Sequence, residues 1–202
     1  PFNPKLLRRL EAEAREFFEQ DPATRSRQRF EPGGLDALMR QARDPVSQLF
    51  QDKCAYCESS VGASSGGYID RLRPLHDASS LSGQGDPDHY GWLAADWDNL
   101  YLACPACSRA KRSLFPVEGP RGRVLASVAL LRRVEDALLV DPCWDMPDEH
   151  LAFVESGFVE ALSPRGETTI KVMNLNRPPL VKERARVWMR VSEYISDGRL
   201  AD

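Results

Sequence analysis

No stretch of this sequence approaches the roughly 18 apolar residues of a membrane span, and the chain is charged from Lys5 onward. A transmembrane helix and a signal segment are therefore not expected, and the expected setting is a soluble, unsecreted, cytoplasmic protein. Pro1 is not a native start, so an upstream segment stays open. Net positive charge is missing as well. The balance is -3 and the pI about 5.7, which argues against a protein that coats nucleic acid indiscriminately. Internal repeats and a clear linker are absent too, which argues against a repeat array or a string of loosely joined domains. The 202 residues suffice to bury a substantial core.

Cysteine is scarce, with five in the chain, but four of them form two tight pairs, Cys54-Ala55-Tyr56-Cys57 and Cys104-Pro105-Ala106-Cys107. Export would make them disulfides, whereas a reducing compartment favours thiolate ligation. Two such knuckles complete a tetrahedral Zn²⁺ shell of Cys54, Cys57, Cys104 and Cys107, with no open position, so the zinc would be structural. Redox-active dithiols or buried free thiols are the alternative. The 103 - 57 = 46 residues between the knuckles exceed the gap of a small zinc ribbon, so they form an insert with structure of its own. Cys143 has no partner in the pattern and reads as a small buried side chain.

Along the chain, Asn3-Pro4 opens an amphipathic helix that Asp21-Pro22 stops. A short helix over 35–43 follows, then a third led by Asp44-Pro45 through Val46, Leu49 and Phe50. Residues 67–74 alternate as a strand, 77–88 read as a loop, 90–95 as a helical turn, 100–103 as a strand and 106–115 as a helix ended by Pro116. Short apolar runs at 137–140, 151–155 and 158–162 suggest a small sheet, with a hairpin at Ser156-Gly157. Helices over 168–175 and 180–195 close the chain. Between Pro105 and Arg133 the local balance is 7 - 1 = +6, from Arg109, Lys111, Arg112, Arg121, Arg123, Arg132 and Arg133 against Glu118. This patch suits phosphates or an acidic partner.

The order and spacing of several stretches resemble the HNH endonucleases, and more specifically the HNH proteins of Septu and retron-type anti-phage systems. They are Lys53 to Glu58, Ile69 to Pro74, Tyr90-Gly91-Trp92-Leu93 with Trp97-Asp98-Asn99-Leu100, Ala103 to Cys107, Lys111 with Phe115-Pro116, Leu139 to Pro142 and Asn174 to Arg177. The resemblance covers most of residues 50 to 190 and implies an α+β fold: a ββα-metal, HNH-like module with the Cys₄ zinc site, surrounded by helices and a small antiparallel sheet. The expected division is a helical segment 1–50, a zinc module 51–118, and a sheet with C-terminal helices 119–202, packed as one unit.

In that family a strand histidine activates water, an acidic neighbour and a helix residue hold a divalent cation, Mg²⁺ or Mn²⁺, and an Asn pins the loop. By resemblance Asp70 is the acidic neighbour and Asn99 the pin. The base position holds Arg71 and the helix position Ser108. Arginine cannot accept a proton, and a lost general base typically costs roughly 10²- to 10⁴-fold. His76 or His89 offers a relocated base, with surface loop histidines as the alternative; His150 reads as structural. Arg71 and Arg73 either hold a phosphate, with Arg109, Lys111 and Arg112 adding nucleic-acid contacts, or Arg71 pairs with Asp70 or Asp98 and fills the vacated site.

Two functions follow from the resemblance: a DNA endonuclease subunit of a bacterial anti-phage system, weakened or inactive alone and working with an ABC or SMC-like ATPase, or a dead HNH fold that binds nucleic acid and assembles the complex. A stand-alone zinc transcription factor lacks a recognition helix. The role of the opening helices turns on whether Phe17 and Phe18 are buried.

Overall fold

Asn3 opens the first helix, α1 (Pro4–Phe18), its Oδ1 accepting the amides of Lys5 at 2.9 Å and Leu6 at 3.2 Å, with Pro4 preset in the first turn. The computed structural model describes residues 2–61 and 66–197. After α1 come a short helix, α2 (Pro22–Arg25), and α3 (Leu35–Leu49). The sequence predicts a break at Asp44-Pro45, yet α3 runs through Pro45. Leu38, Ala42 and Val46, four residues apart, are fully buried, and that apolar stripe outweighs the roughly 3 kcal/mol that an interior proline costs.

Next are β1 (Tyr68–Arg71), β2 (Ala78–Ser79), β3 (Gly85–Asp86), β4 (Leu100–Ala103) and α4 (Pro105–Lys111). β1 pairs antiparallel with β4, Asp70 opposite Tyr101. β2 and β3 close the expected loop 77–88 as a minimal hairpin. Tight 3₁₀ turns cover 91–93 and 97–99. α4 stops at Lys111, four residues short of expectation, because Arg112 turns to φ +50°. β5 (Val117–Glu118), α5 (Val128–Val134) and β6 (Asp136–Ala137) follow, with β6 paired to β5 and not to the later strands.

Phe17 and Phe18 are buried with Phe30, Ala14 and Ala94, and Leu10 packs with Leu38 and Ala95, so the opening helices belong to the core beside the β1–β4 pair. Residues 1–137 form one compact unit and 138–202 a second; the segment 119–137, grouped from sequence with the later elements, lies in the first.

In the second unit β7 (Leu151–Phe153) and β8 (Val159–Ala161) form the hairpin expected around Ser156-Gly157, followed by α6 (Pro164–Met173) and α7 (Pro178–Ser196). Ser163 caps α6, its Oγ accepting the Gly166 amide at 3.1 Å, and that hydroxyl lies 2.7 Å from His150 Nδ1. Cys143 is exposed, contrary to expectation, because its amide is turned onto Asp141 Oδ1 in a surface turn. Along α7, Val187, Trp188, Val191, Tyr194 and Ile195 form an exposed apolar stripe. Among the described residues no helix is long and apolar enough to cross a membrane.

Candidate functional site

The backbone brings the two knuckles together. Cys54 starts a tight turn in which the Glu58 amide returns to the Cys54 carbonyl at 2.8 Å, and the Ala55 amide donates to Leu102 of β4 at 2.8 Å. Leu102 is two residues before Cys104, so this one bond clips the first knuckle to the strand that delivers the second. Cys104 then caps α4, its Sγ accepting the Cys107 amide at 3.4 Å, with Pro105 in the first turn.

The four ligand atoms lie within 4.8 Å of one another. Sulfurs at about 2.3 Å from a central ion sit roughly 3.8 Å apart in a tetrahedron, and Cys57 and Cys104 are 3.8 Å apart. Hydrogen bonds from Cys104, Cys107 and Cys54 pull the Cys57 thiol far down, and those from Cys107 and Cys54 bring Cys104 to about 6. Cys54 and Cys107, each sharing its proton with Cys104, are pushed far up. Four sulfurs this close cannot all ionise unaided, and a divalent cation would release the retained protons. The cluster can hold a metal ion such as zinc.

Asp70 sits on β1 with its carboxylate between Tyr56 of the first knuckle and Lys111 of α4. The Tyr56 hydroxyl donates at 2.8 Å, and Lys111 Nζ is 3.7 Å away. Lys111 is completely buried and donates to the Arg71 carbonyl at 2.6 Å; burial lowers its pKa, with Asp70 opposing. Burial and the Asp70 charge raise Tyr56 well above the usual phenol range.

Arg71 pairs with neither Asp70 nor Asp98 through a hydrogen bond. Its Nε donates to the Ala94 carbonyl at 2.8 Å, and Nη2 lies 3.1 Å from Met39 Sδ on α3. Burial lowers its pKa, opposed by Asp70 and Asp36. Asn99 is buried and ties the loop from both sides: Oδ1 accepts the Arg73 amide and Nδ2 donates to the Arg73 carbonyl, each at 2.9 Å. Ser108 stays within the helix ladder, its amide on the Cys104 carbonyl at 3.0 Å.

An open groove of about 360 Å³ gathers Asp70, Arg71, His76, Asp77 and Arg112; Ser108 and Asn99 are not on its wall. His76 Nδ1 lies 3.4 Å from Asp88 Oδ1. His89 lines a separate cavity of about 120 Å³, and its Nε2 is buried without a partner. Arg112, on the groove wall, holds φ +50° and ψ -124°, a backbone state that costs a non-glycine residue about 1–3 kcal/mol.

Two residues expected to meet nucleic acid are core groups. Arg73 is 2% exposed, and its Nε and Nη2 both donate to Glu135 Oε2 at 3.1 Å, with the guanidinium 4.8 Å from the Phe115 ring centroid. Lys111 is sealed beside Asp70. Arg121 donates to the Tyr90 hydroxyl and to the carbonyls of Phe115 and Ala78, and Arg132 to Tyr101 and Asp98. Arg109, Arg112, Arg123 and Arg133 stay exposed. Sequence reading missed Tyr56, Asp88 and Glu135; Tyr56 sits inside the first knuckle, a visible position, while the partners of Asp88 and Glu135 are set only by tertiary folding.

The chain is similar to Septu proteins. It is 39% identical over 144 residues to the Septu protein PtuA of Bacillus mycoides (strain KBAB4), covering 71% of this chain and 20% of that protein. It is 37% identical over 147 residues to the Septu protein PtuB of the same strain, covering 70% of this chain and 49% of that protein. The chain thus spans at most about half the length of these relatives. No protein-family model matches it.

Proposed function

We propose that this chain is the HNH-type DNA endonuclease subunit of a Septu-type bacterial anti-phage system, slow alone and working with an ATPase partner. The observation that carries this reading is the groove in which Asp70 faces open space, on a β1–β4–α4 frame braced by the four-cysteine centre and pinned by Asn99. In this reading the frame is a ββα-metal module, the cysteines hold a structural zinc, and exposed arginines meet the DNA backbone.

The residues present do not build a strong second cation site. Asp70 offers one carboxylate already engaged by Tyr56 and Lys111, Ser108 offers a neutral hydroxyl, and the cysteines are the only group of three or more His, Cys, Asp or Glu ligands among the described residues. That observation favours a second reading, a binding and assembly module that does not cut.

Plasmid nicking in buffer with Mg²⁺ or Mn²⁺ separates the two. The unaltered chain nicks slowly, and the paired change Arg71→His with Ser108→Asn raises the rate, with either change alone doing less because the two positions act as a unit. A paired variant that keeps its zinc and melting temperature but never nicks would leave the assembly reading standing.

A further inference from the structure

If the groove hydrolyses phosphodiesters, it needs a base that Arg71 cannot supply. His76 is on the groove wall with Asp70 and Arg112. Its Nδ1 faces Asp88, a carboxylate 10% exposed that is itself fixed by the Phe30 amide at 3.4 Å. A carboxylate at Nδ1 selects the tautomer with its proton there and leaves the Nε2 lone pair available. Among the described residues Nε2 of His76 has no protein partner, and it is not one of the buried unsatisfied atoms, so it meets solvent. His89 also has a carboxylate at Nδ1, Asp86 Oδ2 at 3.4 Å, but its Nε2 is buried and its cavity is a different one. The 3.4 Å spacing of His76 and Asp88 is long, as such contacts commonly are before substrate binds.

We infer that His76, oriented by Asp88, is the general base of this groove, a role that rests on the nuclease reading above. His76 Nε2 takes a proton from a water as the water oxygen bonds to phosphorus. The bond from phosphorus to the departing sugar oxygen breaks, and that oxygen takes a proton from solvent. Arg112, exposed on the same wall, faces the phosphate charge. Asp88 is a positioning residue.

The test is single-turnover cleavage of end-labelled duplex DNA by the zinc-loaded full chain with Mn²⁺, beside DNA binding and thermal melting. His76→Ala and the bulkier His76→Gln are each expected to lower the cleavage rate roughly 10²- to 10⁴-fold with binding and melting unchanged. Added imidazole should restore His76→Ala in part, and Asp88→Asn should lower the single-turnover rate at unchanged DNA binding. Cleavage that survives His76→Ala and His76→Gln but not Asp70→Ala overturns this inference alone, and so does a loss that imidazole leaves untouched at unchanged melting. Cleavage by the unaltered chain no faster than by Asp70→Ala overturns the nuclease reading and this inference together.

Discussion

Cys104 does two things at once: its sulfur belongs to the four-cysteine cluster that can hold a metal ion, and the same atom caps α4 by accepting the Cys107 amide. Cys104→Ser separates them, because a serine hydroxyl is a good helix cap but a poor soft ligand. We expect about one zinc per unaltered chain, and in the variant a marked loss of zinc with a lower melting temperature, since binding and folding are coupled at such a site. Elemental analysis and a melt check this; unchanged zinc and melting would show that Cys104 is not needed to hold the metal. That the four cysteines would come together was legible in the sequence because paired thiols at fixed spacing have few other uses. By resemblance Asn99 was expected to pin its loop, and its two hydrogen bonds to the Arg73 backbone are what the structure adds; the role of Asp70 remains part of the proposal. Arg73 was not legible, since an arginine reads as a surface group unless its carboxylate is known, and Glu135 lies 62 residues away. Cys143 failed the opposite way: a lone thiol reads as buried, yet the turn at Asp141 leaves it exposed.

At the level of elements, the helices with strong caps and the β7–β8 hairpin follow from local signals. The misreadings are places where tertiary burial overrules a local rule. Pro45 is carried inside α3 by the stripe of Leu38, Ala42 and Val46, and α4 ends early where Arg112 leaves helical space. α5 was missed because its seven residues bury only Val128 and Leu131, too few for a visible period. The β7–β8 turn makes a sharper demand. Gly157 has φ +83°, and a Cβ there would lie 2.1 Å from the Val181 carbonyl oxygen of α7. Gly157→Ala should therefore cost the second unit more than the about 1–2 kcal/mol that left-handed backbone alone imposes, read as a lower denaturant midpoint. A neutral result would mean that the hairpin and α7 do not approach this closely in solution.

Over the whole molecule the charge of -3 and the proposed grip on DNA are compatible only if the contact is local and narrow. The +6 read between Pro105 and Arg133 is thinned by folding: Lys111 faces Asp70, while Arg121 and Arg132 bind protein oxygens, leaving Arg109, Arg112, Arg123 and Arg133 at the surface. Each phosphate neutralised on a duplex contributes a salt slope of about -0.9, so four such contacts bound the logarithmic slope near about -3.6. That is well below the slope of a protein that tracks a long duplex by charge. Arg109→Ala with Arg112→Ala should flatten the slope by about 1.8 and weaken binding about equally across sequences, as expected of contacts that do not read bases. Titration of a labelled duplex from about 50 to 200 mM salt measures this. Lys111→Ala is not an equivalent test, because it removes the buried cation beside Asp70 and leaves that half-buried carboxylate without its charge partner. Binding that ignores salt, or a double variant with the parental slope, would place the DNA contact outside the face that carries Arg109 and Arg112.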